Sequence, residues 1–149
     1  MKDLYTRLAG IAGDRDDLVV VDTPPLAERA GIVLSALRLA DLVLVPVAPT
    51  MAEFERLGDV WSSIADVEPL RRDPVEVAVL LNRTVANASS TEMVRAAIAA
   101  GTGGWPSRRV LEATVPRREA LAQAFGAGVP PGGPYGAAVD ELDRVEAAA

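Results

Sequence analysis

The sequence contains no histidine and no cysteine among its 149 residues. These absences exclude a Ser-His-Asp triad, a thiolate nucleophile, a disulfide and a zinc site with histidine or cysteine ligands. A metal ion held by this chain would therefore need oxygen ligands, and Mg²⁺ is the cation that this requirement favours.

Lysine is almost absent as well. Lys2 is the single lysine, so arginine supplies the other 14 of the 15 basic residues, against 21 acidic ones. The net charge of -6 does not indicate a nucleic-acid-binding protein. Arginine pairs at 71–72, 108–109 and 117–118 leave two interpretations open, a local patch for non-specific DNA or an ordinary solvated surface.

Long hydrophobic runs are missing too. The longest, residues 32–40 and 42–48, are too short to cross a bilayer, and residues 1–13 lack the apolar core of a signal peptide. We therefore expect a soluble, cytoplasmic protein with no membrane span. The length fits one domain over residues 1–149.

Short apolar runs alternate with helical patterns along the chain. Strands are predicted over residues 17–22, 42–47, 75–81 and 109–115, and the main helices over 29–40, 50–65 and 89–100. Capping boxes predict that Thr50 and Ser89 are the N-caps of two helices. This pattern predicts an α/β fold, a parallel sheet with helices on both faces. Ligands of such sheets bind at the carboxyl ends of the strands.

The first of these strand ends carries an acidic residue. Asp22 follows three valines and precedes Thr23, Pro24 and Pro25. Asp22 has two interpretations, a turn or capping residue, or an acid that holds Mg²⁺ beside nucleotide phosphates.

The run Val-Val-Val-Asp-Thr-Pro-Pro at 19–25 resembles the switch region of the ParA/MinD family of deviant Walker A ATPases, which partition plasmids and chromosomes and position other cargo. Three further segments, residues 40–49, 79–83 and 113–130, are similar to later segments of that family, in the same order. The resemblance covers about residues 17–145, which correspond to the carboxyl-terminal half of the family's domain, a P-loop NTPase fold.

The resemblance implies a role for each matching residue. Asp22 would be the catalytic switch acid linked to Mg²⁺, and ATP would be the nucleotide. The implied nucleotide-binding residues are those of the switch and of two later strand ends: Thr23, Pro24, Pro25, Asn82, Arg83, Val115 and Pro116. Asn82 would contact the adenine edge, whereas Val115 and Pro116 would pack on the base. The alternatives are a turn residue for Asn82 and a strand terminator for Pro116.

The family's P-loop, a glycine-rich turn ending in Gly-Lys-Thr, has no counterpart here, and its strand is missing from the predicted sheet. Lys2 has no glycine beside it, and the glycine-rich residues 101–104 contain no lysine, so we interpret them as a flexible loop. Phosphoryl transfer depends on backbone N–H groups, a lysine and Mg²⁺. We therefore expect no useful ATP hydrolysis by this chain alone, and expect a split half, a truncated reading frame or a rearranged four-stranded sheet.

Two functions follow as hypotheses. One is a ParA-like partition or cargo-positioning protein that self-associates or pairs with a complementary ParA-like chain, and that meets a ParB-like adaptor. The alternative is a non-catalytic, split or decayed homologue that acts as a protein-interaction module. Bacterial tyrosine-kinase-like ATPase domains share the switch motif, but Tyr5 and Tyr135 are isolated and do not form their terminal tyrosine cluster.

Overall fold

A computed structural model describes residues 6–7, 10, 18–123, 126 and 132–146. In these ranges the helices and strands are α1 (Leu26–Leu37), β1 (Leu42–Val47), α2 (Met51–Val67), β2 (Glu76–Thr84), α3 (Ser89–Ala100), β3 (Arg109–Pro116), α4 (Glu119–Ala122) and α5 (Pro134–Glu146). Short 3₁₀ turns lie at Glu68–Leu70 and Thr102–Gly104. The predicted strand residue Asp17 and residues 127–131 of the Gly- and Pro-rich segment lie outside the described residues.

The three strands form one sheet in the order β1-β2-β3. β2 and β3 run parallel, with Ala78 opposite Arg109 and Val79 opposite Val110. The prediction of an α/β fold with a parallel sheet is therefore confirmed for these strands. In the described part of the chain, no helix combines the length and hydrophobicity that crossing a membrane requires.

The prediction of a strand at the first apolar run is wrong. Residues 18–21 are not part of the sheet. Leu18 is 79% exposed and Val20 is 81% exposed, although the apolar run predicted a strand buried on both faces. A strand forms only where a neighbour takes up its backbone hydrogen bonds, and among the described residues this segment pairs with no other strand.

The chain divides into two compact units, which we describe separately. One unit comprises Met1–Val43 and Asp59–Val75, and the other comprises Leu44–Gly58 and Glu76–Ala149.

In the first unit, α1 begins directly after Pro25, whose carbonyl accepts the N–H groups of Glu28 and Arg29. At the C-terminal end of this helix, Arg71 Nη1 donates a hydrogen bond to the Leu37 carbonyl at 2.6 Å. Arg71 Nε donates a second hydrogen bond to the Asp73 carbonyl at 3.0 Å. Arg71 therefore satisfies a carbonyl that the helix end leaves unpaired.

In the second unit, β2 is the central and most buried strand. Residues 77–81 are apolar and each is at most 6% exposed, as expected for a strand covered on both faces. α3 contacts β2 and β3, and it buries Val94 and Ile98, which lie on one helical face. α5 contacts β3 and buries Ala138 and Val145.

The two predicted capping boxes have different outcomes. Thr50 Oγ1 accepts the N–H of Glu53 at 3.3 Å, as predicted for an N-cap. The Glu53 carboxylate pairs with Arg56 at 2.8 Å. Ser89 is not an N-cap: the N-cap of α3 is Ala88, and no side chain caps that helix. The Thr91 N–H donates to the Ala88 carbonyl at 3.1 Å, which leaves the N–H groups of Ser89 and Ser90 for water.

The loop after α3 packs against α2 within the same unit. Gly101 has a φ of 71°, and a Cβ there would lie 2.6 Å from the Ser107 nitrogen, so this position requires glycine. The Trp105 indole covers Gly58, where a Cβ would lie 2.8 Å from Trp105 Cζ2.

Candidate functional site

The residues predicted to face a nucleotide base meet at the carboxyl ends of β2 and β3. Asn82 is paired with Val115, and Thr84 is paired with Pro116. Asn82 and Pro116 are half-buried, whereas Val115 is only 1% exposed and belongs to the core. Asn82 and Pro116 can therefore present side chains to a ligand, whereas the Val115 side chain is buried and cannot.

Arg83 interrupts the pairing between these residues. β2 advances two residues from Asn82 to Thr84 while β3 advances one, so Arg83 is an extra residue in a bulge. Pro116 has no N–H to donate, and the ladder resumes where the Arg117 N–H donates to the Thr84 carbonyl at 2.9 Å. Arg83 has a φ of 58°, which costs a residue with a Cβ about 1–2 kcal/mol.

The bulge also orients the Asn82 side chain. Asn82 Oδ1 accepts the N–H of Arg83 at 2.8 Å. The Asn82 NH₂ group makes no hydrogen bond to any described residue, so two donor hydrogens remain for a ligand. The resemblance implies that Asn82 contacts an adenine edge with both a donor and an acceptor, and the Arg83 N–H already uses part of its acceptor capacity.

Exposed cations surround this strand end. Arg83, Arg117 and Arg118 are exposed, and none of them makes an ion pair within the described ranges. The other predicted pairs are partly engaged, since Arg71 binds two carbonyls and Arg109 lies 3.6 Å from Glu76. Of the three arginine pairs, 117–118 is the one that the fold leaves exposed beside the candidate site.

An open cleft of about 590 Å³ adjoins the end of β2. The cleft is lined by Thr84 and the loop 85–88, by Ser89, Thr91, Glu92 and Arg95 of α3, and by Glu112 and Thr114 of β3. Asn87 in this loop has a φ of 61°, a conformation that asparagine tolerates better than most residues.

Two threonines line the cleft, and the hydroxyl oxygen of one of them is buried without a partner. Thr84 is only 8% exposed and is one of the residues that line the cleft. Thr91 Oγ1 is buried and has no hydrogen-bond partner within the described structure. Buried hydroxyls without partners are uncommon because burial removes their water.

The wall of the cleft depends on two charged side chains that the sequence did not single out. Arg95 Nη1 donates to the Leu111 carbonyl at 2.6 Å, and Glu141 accepts the N–H groups of Glu112 and Ala113 at 2.9 Å each. No local pattern marks these contacts, because the main-chain groups of β3 that Arg95 and Glu141 bind lie at least 16 residues away in the chain.

The predicted switch residues lie in the first unit. Asp22, Thr23 and Pro25 are exposed, Pro24 is half-buried, and Pro25 is the N-cap of α1. Asp22 is thus an exposed residue that precedes a helix, which is compatible with either of its two interpretations. Within the described ranges, no three acidic side chains are grouped so that they could hold a metal ion.

Comparisons of this chain with protein-family profiles, with curated proteins and with solved structures found no match.

Proposed function

We propose that this chain is the carboxyl-terminal portion of a cytoplasmic ParA/MinD-like domain with a P-loop NTPase fold, which acts in plasmid or chromosome partition or in cargo positioning. Its strand ends at Asn82 and Pro116 contribute the base-binding wall of an ATP site, and residues 22–25 correspond by resemblance to the family's switch segment. The phosphate-binding loop has to come from elsewhere, through a complementary ParA-like chain or a further segment. On its own the chain does not turn over ATP.

One observation carries this proposal: Asn82 lies beside Val115, and Pro116 lies opposite Thr84. The sequence resemblance assigns base contacts to these strand ends, and parallel strands of an α/β sheet bind ligands at their carboxyl ends. The unbonded Asn82 NH₂ group supports the assignment, because a base edge offers acceptors to such a donor.

The residues present fit a nucleotide base better than they fit a complete metal site. Asn82 would hold and orient the base edge, and the Pro116 ring would form a flat wall. Asp22 is exposed and would hold Mg²⁺ through water, with phosphate oxygens as further ligands. When bound, Mg²⁺ neutralises charge on the phosphates.

The test combines two measurements on the whole chain. Adenosine should shift the NMR signals of the Asn82 side-chain amide and of the Val115 and Arg117 backbone amides. Asn82→Ala should abolish these shifts, whereas Asn87→Ala, a matched change in the adjacent loop, should not. A multiple-turnover phosphate-release assay should show no activity. Saturable, Mg²⁺-dependent turnover, or adenosine shifts that survive Asn82→Ala, would contradict the proposal.

A second candidate function, a non-catalytic protein-interaction module, is favoured by the exposed apolar residues 18–21. Leu18 and Val20 are about four-fifths exposed, and a strand-forming segment without a partner is a site for strand addition by another chain. Sedimentation velocity should then show self-association that is independent of Mg-ATP and that Leu18→Ser with Val20→Ser removes. A chain that remains monomeric, and that captures neither a complementary ParA-like chain nor a ParB-like adaptor, would count against this function.

Non-specific DNA is a further proposed partner, and it rests on exposed Arg83, Arg117 and Arg118 at one strand end. Retention on a DNA column should fall steeply with salt, and Arg117→Ala with Arg118→Ala should weaken it. Arg72→Ala is the control, since it removes an exposed arginine from the other unit. Equal effects of the two changes would indicate diffuse charge rather than a site.

A further inference from the structure

We propose that arginines at the carboxyl ends of β2 and β3 bind the phosphate of a nucleotide whose base lies against Asn82 and Pro116. The phosphate ligands are Arg83 and Arg117, so the site holds a base and the phosphate on its own ribose without a P-loop. The ligand is a nucleoside monophosphate unit, either free or within a single-stranded nucleic acid. This inference rests on the proposed base site, and it adds the groups that bind the phosphate.

The strand pairing places two arginines at the border of the base wall. Arg83 is the extra residue between Asn82 and Thr84, and Thr84 lies opposite Pro116. Arg117 directly follows Pro116, and its N–H donates to the Thr84 carbonyl at 2.9 Å. Adjacent strands of a sheet lie about 4.8 Å apart, so the two arginine side chains start from neighbouring positions. A phosphate joined through ribose to a base at the wall would lie between them.

The charge of this strand end is opposite to the charge of the chain. The segments 82–88 and 113–118, which meet here, contain Arg83, Arg117 and Arg118 and no acidic residue, whereas the whole chain has a net charge of -6. The three arginines are exposed, and none of them forms an ion pair with a described residue. Such guanidinium groups suit a phosphate, because two of their N–H groups match two phosphate oxygens.

The backbone at Arg83 is an independent observation that favours a ligand. Its φ of 58° lies in the left-handed region, which is strained for a residue with a Cβ and which glycine or asparagine adopts more easily. The position nevertheless carries an arginine whose side chain is exposed. Strained residues concentrate at ligand sites, where binding rather than folding requires them. The strain therefore favours a binding role for the Arg83 side chain.

The experiment compares adenosine with AMP in NMR titrations of the whole chain at constant ionic strength. AMP should bind about tenfold or more tightly than adenosine, because charged groups donate to its phosphate. In Arg83→Asn with Arg117→Gln, AMP and adenosine should bind equally, since both charges are lost while asparagine tolerates the positive φ. Arg72→Ala is the control, because it removes an exposed arginine of the other unit and should leave the preference for AMP intact.

The outcomes distinguish this inference from the base site on which it rests. Equal binding of adenosine and AMP to the natural chain would overturn the phosphate site and leave the base site standing. If neither ligand shifts the Asn82 side-chain amide, the base site fails first. Loss of the preference for AMP in Arg72→Ala would also overturn the inference, because it would indicate diffuse charge. This ligand comparison on the natural chain keeps the test valid if the double variant does not fold.

A short oligodeoxyadenylate identifies the source of the nucleotide. Tighter binding per nucleotide than AMP would support the site with single-stranded nucleic acid as its ligand. Weaker binding than AMP would support the site with a free nucleotide as its ligand. In both cases the arginine double variant should lose the contribution of the phosphate.

Discussion

Arg95 and Glu141 hold the same segment of β3 through groups of opposite polarity. Arg95 donates to the Leu111 carbonyl at 2.6 Å, and the two oxygens of Glu141 accept the N–H groups of Glu112 and Ala113. The strand carries two extra residues here, since the pairs on either side are Val79 with Val110 and Leu81 with Thr114. The side chains thus satisfy main-chain groups that the irregular ladder leaves unpaired, and they keep the end of β3 in register with β2.

We expect Glu141→Ala to destabilise the protein by about 2 kcal/mol, because two hydrogen bonds to a carboxylate are lost and two N–H groups lose their partner. Urea denaturation measures the change in the free energy of unfolding. Asp140→Ala is the control, since it removes an adjacent exposed carboxylate of α5 that has no hydrogen bond in the described structure. Equal losses for the two variants would show that the Glu141 contacts contribute nothing specific.

Two neighbouring arginines should differ in their effect on stability. Arg71→Ala removes the hydrogen bond to the Leu37 carbonyl and should cost about 1–2 kcal/mol. Arg72 is exposed, and its replacement by alanine should change stability by less than about 0.5 kcal/mol. Thermal denaturation of both variants checks the difference. If both changes leave stability unaltered, the hydrogen bond from Arg71 to the C-terminal end of α1 does not stabilise the protein.

Gly58 and Trp105 should show energetic coupling. Alanine in place of glycine within a helix normally stabilises by about 1 kcal/mol. Here the new Cβ would lie 2.8 Å from Trp105 Cζ2 and would displace the indole, so Gly58→Ala should give no gain in the natural chain. The gain should reappear when Trp105 is also changed to alanine. A double-mutant cycle by urea denaturation measures this coupling, and equal effects in both backgrounds would contradict the contact.

Two residues with positive φ allow a matched test of backbone strain. Arg83 has a φ of 58° and Asn87 has a φ of 61°. Arg83→Gly should stabilise the protein by about 0.5–1 kcal/mol, because relief of the Cβ clash exceeds the entropy cost of glycine. Asn87→Gly should be close to neutral, because asparagine already tolerates this conformation. Denaturant unfolding distinguishes the two, and a loss of stability in Arg83→Gly would argue that the arginine side chain makes a needed contact.

Much of the fold follows from local patterns in the sequence. The strands β1, β2 and β3 were identified from short runs rich in apolar residues, and β2 is the one that is buried along most of its length. The cap at Thr50 was identified because it involves groups three residues apart. The sequence also pointed to Asn82 and Pro116, since both stand where a strand ends. Each of these features is set by a few adjacent residues.

Tertiary structure decided the features that depend on distant partners. The apolar residues 18–21 have the composition of a strand but lie outside the sheet, because a strand also needs a neighbour that its own sequence does not contain. The bulge at Arg83 arises because the facing strand contributes Pro116, which has no N–H. The burial of Thr84 and the hydrogen bonds of Glu141 to β3 likewise join segments far apart in the chain. Local sequence therefore determined where β1, β2 and β3 can form, and packing between distant segments determined which apolar runs join the sheet and which polar main-chain groups are paired.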